Sequence, residues 1–284
     1  MRIIGADERL RETRGAKILI AGPTGVGKTT LLRTLLSTTT TTTLFIDIEA
    51  GDLAVQDVPV DTLRPRTWTE LRDLTCFLGG PNPAMPPAAC FSEAHYNAIR
   101  DGFGDPRELE KYETLFVDSL TAMSRLSFIH CEQQPESFSD RTGKKDLRGA
   151  YGLHGREMIA LLNHLQHARG KNVVFVAILE KIVDEFNRSE WSIQMEGSKT
   201  GRELPAIVDE LLIMNFVDFG DGEPVRAFVC TQPNPWGYPA KDRSGRLDQL
   251  EEPHLGKLIT KLTGPGQRKP FEASTEQTLK SASE

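Results

Sequence analysis

The sequence has no long apolar run, and this excludes one class of protein at the outset. Across 284 residues there is no stretch of about twenty consecutive apolar residues, so no membrane-spanning helix is predicted. Residues 1–15 are charged and contain no apolar segment of the kind that a secretory signal needs. We therefore expect a cytoplasmic protein with no membrane partner.

Cysteine is also scarce. The four cysteines, Cys76, Cys90, Cys131 and Cys230, lie far apart and form no Cys-x-x-Cys pair. This spacing is typical of reduced thiols in a cytosolic protein rather than of a disulfide framework. A zinc site that combines Cys131 and His130 with distant partners is an alternative.

Positive charge is in slight deficit, with 34 Lys and Arg residues against 40 Asp and Glu residues. The resulting net charge of −6 argues against a protein whose entire surface binds nucleic acid. It leaves room for a local basic groove, because binding depends on how Lys and Arg are arranged.

A glycine-rich motif follows the first apolar run. Residues 17–21 are predicted to form a buried strand and 28–36 a helix, and between them stands Gly-Pro-Thr-Gly-Val-Gly-Lys-Thr, a complete phosphate-binding loop (P-loop). In such a loop the backbone N–H groups point at phosphate oxygens, the Lys reaches the β- and γ-phosphates, and the Thr hydroxyl binds Mg²⁺. We therefore predict that ATP and Mg²⁺ bind at Gly22, Pro23, Thr24, Gly25, Val26, Gly27, Lys28, Thr29 and Thr30.

An aspartate closes a later apolar strand, predicted at residues 114–118. From the carboxyl end of this strand, Asp118 can hold Mg²⁺ together with the Thr29 hydroxyl, so these two residues are the predicted metal site. Asp47 is an alternative for the same role, although it is predicted to lie inside its strand rather than at the end.

Two glutamates are predicted at the same edge of the sheet, because the carboxyl ends of adjacent parallel strands share one edge. Glu49 ends the strand after the P-loop helix and can orient the water that attacks the γ-phosphate. Glu180 ends the predicted strand 172–179 and is a candidate sensor of the γ-phosphate. The alternative for Glu49 is a solvated carboxylate at a strand end. A carboxylate beside phosphate is repelled, so Glu180 would need a water, the metal or Lys181 to act as a sensor.

Strands and helices alternate up to residue 179, which predicts an α/β fold with a mostly parallel central sheet flanked by helices. A hairpin is predicted at 182–186 and 191–195, and antiparallel strands at 210–216 and 225–231 are expected to complete one edge. The threonine-rich stretch 38–43 is predicted to be a loop. One domain is expected, at 17–263, after an N-terminal segment at 1–16 and before a disordered tail at 264–284.

Taken in order, these motifs resemble the RecA/RadA branch of the P-loop ATPases. Residues 44–49, Leu-Phe-Ile-Asp-Ile-Glu, resemble the strand that presents the catalytic glutamate, and 115–120, Leu-Phe-Val-Asp-Ser-Leu, resemble the Walker B strand. The layout of 17–262 is most similar to phage-encoded RecA-like ATPases that act in single-strand annealing and recombination. Shared features are the short N-terminus, Gly-Ala-Tyr-Gly at 149–152 and Lys-Asp-Arg-Ser-Gly at 241–245.

The resemblance implies a RecA-like core, ATP hydrolysis, single-stranded DNA as a partner and assembly into a ring or filament. A single-strand DNA-binding protein is a further implied partner, and a phage gene would place the protein in the host cytoplasm. Residues 241–245 resemble the Lys-Asn-Arg-Phe-Gly motif of RadA-like proteins, from which Lys241 and Arg243 would reach the neighbouring subunit's nucleotide. Asp242 and Ser244 depart from that motif, and an exposed basic turn is the alternative. The implied catalytic residues are thus Lys28, Glu49, Asp118, Lys241 and Arg243.

The resemblance also implies two DNA-binding loops, at 133–149 and 181–202. Both contain several cations, which would pair with phosphates in a salt-dependent manner and largely without regard to base sequence. The residues are Arg141, Lys144, Lys145 and Arg148 in the first loop, and Lys181, Arg188, Lys199 and Arg202 in the second. Trp191 and Phe186 are candidates for base stacking, against the alternative that they pack on the protein body.

Other functions compete with a DNA-dependent ATPase. A ring-forming helicase-like motor would use the same residues. A nucleotide-dependent assembly switch would need no water-orienting acid, and a small-molecule kinase would need an Arg-rich lid, for which no compact signature is present.

Overall fold

Helices and strands alternate through most of the chain. The structure, a computed structural model, describes residues 3–12, 14–36, 42–139, 141–168, 170–183, 187, 189–218 and 222–264, with only the backbone at positions 10, 198, 199 and 202. The helices are α1 (Ala6–Arg11), α2 (Leu32–Leu36), α3 (Trp68–Gly79), α4 (Glu93–Phe103), α5 (Leu120–Cys131), α6 (Leu147–Gln166), α7 (Ser198–Ile207) and α8 (Leu255–Thr263). The strands are β1 (Lys17–Gly22), β2 (Thr42–Asp47), β3 (Asp61–Leu63), β4 (Tyr112–Asp118), β5 (Asn172–Val183), β6 (Ser189–Ile193), β7 (Glu210–Val217), β8 (Val225–Val229), β9 (Lys241–Asp242) and β10 (Leu250–Glu251).

The strands assemble into a sheet in the order β10-β8-β7-β1-β5-β4-β2-β3. All neighbours from β7 to β3 are parallel, whereas β8 and β10 are antiparallel at one end. Strand β6 folds back onto β5, and β9 pairs with the start of β7, both antiparallel. The predicted α/β fold, with a mostly parallel sheet and antiparallel strands at one edge, is confirmed.

The sheet is covered on both faces, because successive side chains of a strand point to opposite sides. In β1, Leu19 and Ala21 join a core with residues of α3, α5 and α6. Ile18 and Ile20 join a second core with residues of α2 and α8. The sheet is therefore a buried central layer, and the polar loops that follow its strands are confined to its edges.

Helix α6 begins inside the first predicted DNA-binding loop, 133–149. It begins at Leu147, where the Asp146 side chain accepts a hydrogen bond from the Arg148 backbone N–H at 3.0 Å. The helix signal is weak there because glycine disfavours helix. Gly149 is required by packing instead, since a Cβ at this position would lie 2.1 Å from the Glu136 carbonyl oxygen. Arg148 thus lies in a helix, and its predicted place in a loop was wrong.

Strand β5 is longer than predicted. It continues to Val183 because β6 supplies hydrogen-bonding partners to this extension, with Glu180 opposite Ser192 and Lys181 opposite Trp191. The predicted hairpin is present. Glu180, however, lies within the strand rather than at its end, and Lys181 lies in the strand rather than in the predicted loop. Part of the second predicted loop is likewise helix α7.

The remaining differences lie in short segments. Thr42 and Thr43 begin β2, because β-branched threonine suits a strand, whereas residues 38–41 lie outside the described part. Helices α1 and α8 were not predicted, and the predicted disordered tail beyond Gly264 is outside the described residues. No helix in the described ranges has the length and apolarity of a membrane span. All four cysteines are free, and no group of three or more potential metal-binding His, Cys, Asp or Glu residues occurs in those ranges.

Candidate nucleotide-binding site

The P-loop connects β1 to a first helical turn and then to α2. The turn, Thr29–Leu31, is a 3₁₀ helix, so the predicted helix begins in a tighter form. Gly25 and Gly27 have φ values of +81° and +95°, a conformation that only glycine adopts readily. These two residues let the loop curl back over the end of β1, as phosphate binding by backbone N–H groups requires.

Lys28 crosses the inside of this loop. Its ammonium group donates hydrogen bonds to the carbonyl oxygens of Gly22 and Pro23, each at 2.9 Å. Burial lowers the pKa of Lys28, while the charges of Asp118 and Glu49 act in the opposite direction. The ammonium therefore lies between the loop and the acids, where it can contact a phosphate held by the loop.

Thr29 joins the P-loop to the end of β4. Its hydroxyl donates a hydrogen bond to Asp118 Oδ2 at 2.6 Å. Burial raises the pKa of Asp118 to about 6, although the Thr29 hydrogen bond lowers it. A hydroxyl and a buried carboxylate side by side form the hard-oxygen donor set that Mg²⁺ prefers, and a cation there would favour the ionised carboxylate. The pair thus fits the predicted metal.

Asp47 does not take this place. It is the last residue of β2, directly opposite Asp118 in the parallel register, so the prediction that it lies inside its strand was wrong. Its Oδ2 lies 3.4 Å from Arg64 Nε, and its Oδ1 accepts the Gly51 N–H at 3.1 Å. Asp47 therefore holds the loop after β2, and Asp118 is the acid that contacts Thr29.

Glu49 stands on that loop and faces the same cleft. It is exposed, and its Oε1 accepts a hydrogen bond from the Ser119 hydroxyl, which also caps α5 by accepting the Ala122 N–H at 3.1 Å. A cavity of about 330 Å³ brings most of the predicted nucleotide-binding residues together, although Gly22, Pro23 and Val26 are not among its lining, and its volume falls in the size range of ligand sites. It is lined by Thr24, Gly25, Gly27, Lys28, Thr29, Thr30, Glu49, Ala54, Asp118, Ser119 and Ile178.

Ser119, Ile178 and Ala54 are lining residues that the sequence interpretation did not select. A hydroxyl residue directly after the strand-end acid was a usable signal for Ser119. Ile178 has no such signal, because its place depends on the parallel pairing of β5 with β1.

Glu180 does not line this cleft. Its Oε2 accepts a hydrogen bond from the Gln194 side-chain amide at 3.2 Å, farther along the β5 extension than Ile178. A sensor role for Glu180 would therefore act through Gln194 or a bound water, and it stays a prediction.

Lys241 and Arg243 lie at the opposite edge of the sheet from the P-loop. Lys241 is opposite Leu211 at the start of β7, and its Nζ donates to the carbonyl oxygens of Pro205 at 2.5 Å and Val208 at 2.8 Å. The Arg243 guanidinium donates to Asp209 Oδ1 at 3.1 Å and to the Ala206 carbonyl oxygen at 2.7 Å. Neither lines the nucleotide cleft of its own chain, so any contact with nucleotide has to be made in a neighbouring subunit.

Two acids shape the turn that carries these cations. Asp242 accepts hydrogen bonds from the Gly245 and Leu247 N–H groups, each at 2.9 Å, which gives this departure from the RadA-like motif a structural reason. Glu210 accepts the Arg243 and Ser244 N–H groups, each at 3.2 Å. Burial, with the nearby Asp242, raises the pKa of Glu210 to about 8.

The basic residues of the first predicted DNA-binding loop are exposed. Residues 141–148 are all exposed and carry four cations against one acid. Lys145 forms an ion pair there, with its Nζ 3.7 Å from Glu132. Among the residues of the second loop, Lys181 is exposed with its Nζ 5.7 Å from the centroid of the Trp191 ring. Arg188, Phe186 and the side chains of Lys199 and Arg202 lie outside the described part of the chain.

Trp191 packs on the protein body. Its ring lies 5.2 Å from that of Tyr238, centroid to centroid, and contacts the core. This is the alternative raised for the aromatic residues of the hairpin, so base stacking by Trp191 has no support from its position.

Helix α5 links the two basic segments. The Ser124 hydroxyl accepts the Glu196 N–H at 2.8 Å, just after β6. His154 of α6 is buried between the Ser127 hydroxyl, at 3.0 Å, and the Glu196 carbonyl oxygen, at 2.9 Å. The N-terminal part of α6 and the segment after β6 are therefore held together beyond the carboxyl ends of the parallel strands, the same edge of the sheet at which the P-loop lies.

The glycine-rich turn after β1, its Lys and Thr, and the acid at the tip of β4 define a P-loop nucleotide-binding protein. The chain belongs to the AAA domain family AAA_24, whose model matches residues 14–244. A comparison with functionally curated proteins finds no match.

Several solved structures are similar at low identity. The RadB recombinase is 14% identical, with a TM-score of 0.34 over 81% of this chain and 91% of that chain. A type III secretion system ATPase of pathogenic bacteria is 17% identical, with a TM-score of 0.37 over 71% and 51%. The flagellar accessory protein FlaH from Methanocaldococcus jannaschii is 10% identical, with a TM-score of 0.33 over 76% and 77%. These similarities are too low to bear on the substrate.

Glu210→Gln should make the stability of the protein less dependent on pH. The carboxyl ionises near its ordinary value of 4.5 when unfolded and near 8 when folded, so the folded state retains a proton that the unfolded state loses. The free energy of unfolding should therefore fall as pH rises through this window, by up to about 1.4 kcal/mol per pH unit. Urea unfolding at several pH values measures the slope, which should be shallower in Glu210→Gln.

The exposed Glu252→Gln is the matched control and should keep the wild-type slope. Equal slopes in wild type and Glu210→Gln would contradict the assignment of a neutral Glu210.

Proposed function

We propose that the protein is an ATPase that acts on single-stranded DNA in phage-type recombination, by annealing or strand exchange. The observation that supports hydrolysis most directly is the contact of Thr29 with Asp118 in a cleft that also contains Glu49 and Lys28. A site that only bound nucleotide would not need an additional acid near the position of the γ-phosphate.

Each residue has a distinct role in this proposal. The P-loop backbone holds the phosphates, and Lys28 neutralises the β- and γ-phosphates. Thr29 and Asp118 would hold Mg²⁺, which supplies charge neutralisation to the triphosphate. Glu49 orients the attacking water and accepts its proton, and Ser119 positions Glu49 through its hydrogen bond.

The DNA-binding part of the proposal rests on exposed positive charge. The segment 141–148 offers four cations and is fully exposed, and Lys181 projects from the β5–β6 extension. Because α5 holds both regions on the P-loop side, one strand of nucleic acid can run across them. Such contacts would be mainly to phosphates, consistent with an activity that does not depend on base sequence.

The proposal also includes assembly into a ring or filament. Lys241 and Arg243 lie at the edge of the sheet away from their own P-loop, which is where residues that serve a neighbour's nucleotide would stand. A cation supplied by the next subunit would neutralise charge that develops on the γ-phosphate and couple hydrolysis to assembly. We place this assembly in the cytoplasm, with a single-strand DNA-binding protein as a further candidate partner.

ATP turnover should rise when single-stranded DNA is added to the wild-type protein. Lys28→Ala should lose nucleotide binding, whereas Glu49→Gln should bind ATP and lose about 10²- to 10⁴-fold in kcat, because only the water-orienting acid is removed. Phosphate release with and without DNA measures these effects, and Glu93→Gln, at the exposed start of α4, is the matched control.

Full turnover by Glu49→Gln would reject the proposed hydrolytic role. Turnover indifferent to DNA at every salt concentration would leave an ATPase whose substrate is not DNA. Phosphorylation of a nucleoside would favour a kinase instead.

Lys241→Ala should lose DNA-stimulated turnover while its own ATP binding stays intact. Because Lys241 also holds carbonyl oxygens at the end of α7, a loss of activity has to be separated from a loss of structure. Mixing the Lys241→Ala and Glu49→Gln variants separates the two causes. The Lys241→Ala subunit still has an intact cleft, and the Glu49→Gln subunit still has Lys241, so an interface between these two parts is complete.

Random mixing should restore about a quarter of the wild-type interfaces. Lys257→Ala, another partly exposed lysine, serves as the control and should keep full turnover. Mixtures that stay inactive, or a Lys241→Ala variant with wild-type turnover, would contradict the intersubunit role.

A further inference from the structure

The β7–β8 hairpin places an aromatic ring and a guanidinium beside the P-loop. Phe216 and Arg226 are directly opposite each other in the antiparallel pair, so their side chains lie on the same face of the sheet. Met214 and Phe228 form the pair two residues earlier along β7, and their side chains therefore point to the same face. Both are buried in the core with α2, which identifies that face. Phe216 and Arg226 therefore continue the α2 face toward the carboxyl end of β7, where the P-loop lies.

Arg226 reaches the P-loop itself. Its Nη1 lies 3.4 Å from the Val26 carbonyl oxygen. A Cβ on Gly27 would lie only 2.6 Å from the same nitrogen, so the guanidinium rests against the loop backbone. Phe216 is 56% exposed, so part of its ring surface is accessible to a bound ligand.

The sheet order shows which end of a bound nucleotide these side chains would meet. The metal-binding acid and Glu49 follow β4 and β2, on one side of β1, whereas β7 and β8 lie on the other side. A triphosphate whose γ-phosphate lies beside Lys28 and Asp118 directs its α-phosphate and nucleoside away from those acids. The opposite end of the P-loop is where Arg226 and Phe216 stand.

We propose that Phe216 and Arg226 form the subsite for the nucleoside end of the triphosphate. The inference rests on the proposed nucleotide binding and adds the groups that recognise the base. The Phe216 ring packs against the face of the purine, and the Arg226 guanidinium pairs with the α-phosphate. The Phe216 ring would increase the affinity only for ligands that carry a base, whereas Arg226 would increase the affinity for any triphosphate.

Two ligands separate these contributions: ATP and inorganic tripolyphosphate, each measured by calorimetry with Mg²⁺ present. Phe216→Ala should weaken ATP binding about fivefold to tenfold and leave tripolyphosphate binding unchanged, because only ATP has a base to stack. Phe216→Trp should keep the wild-type ratio of the two affinities. Arg226→Ala should weaken both ligands, by about tenfold, and Arg226→Lys should recover part of the loss.

Val225→Ala is the matched control. Val225 is exposed on the same strand, but its partner Val217 belongs to the core on the other face, so the ratio of affinities should not change. A Phe216→Ala variant with the wild-type ratio of ATP to tripolyphosphate affinity would overturn the subsite. If the wild-type protein bound neither ligand, the proposed nucleotide binding itself would be wrong, so the two failures are distinguishable.

Discussion

The hydrogen bond from Thr29 to Asp118 is the interaction on which the rest of the site depends. In the sheet, β5 separates β1 from β4, so the chain that follows the P-loop has to reach across one strand to meet the acid. The parallel register makes this possible: Ala21 is level with Ala177, and Asp118 is level with Val176 one residue earlier. Once this contact is made, the loop, the lysine and the acid are fixed relative to one another.

The same edge concentrates negative charge around Asp118. Burial raises the pKa of Asp118 to about 6, and the charges of Glu49 and Asp47 act in the same direction. Lys28 is the cation that faces these acids from the P-loop. A divalent ion between the triphosphate and Asp118 would restore the balance, which explains why a costly buried carboxylate is tolerated there.

The sheet order separates three tasks around the P-loop. The acids proposed for metal binding and hydrolysis lie at the end of β4 and just after β2, and the Phe216–Arg226 pair lies on β7 and β8. Helix α5 leads from Ser119 toward the exposed basic segments. Because Ser119 caps α5 and contacts Glu49, the helix connects Glu49 to the contacts that Ser124 and Ser127 make with Glu196 and His154. This connection would give the proposed DNA-dependent turnover a physical route.

The fold and the centre of the site were predictable because their signals are local. A buried strand, a glycine-rich turn and an acid at a strand end each occupy a few consecutive residues, so Lys28, Thr29, Asp118 and Glu49 were identified from sequence. The start of α6 was missed because Gly149 opposes helix and only its packing against Glu136 requires it. Arg226 has no local signal at all, since its contact with Val26 depends on the register between β7 and β8.

The central claim is that Thr29, Asp118 and Glu49 act together on the metal and the γ-phosphate. A crystal structure with Mg²⁺ and a non-hydrolysable ATP analogue tests it most directly. The account predicts Mg²⁺ about 2.1 Å from Thr29 Oγ1, Asp118 in contact with the ion or its water shell, and Glu49 facing the γ-phosphate. A bound nucleotide with both acids turned away from the metal and the γ-phosphate would contradict it.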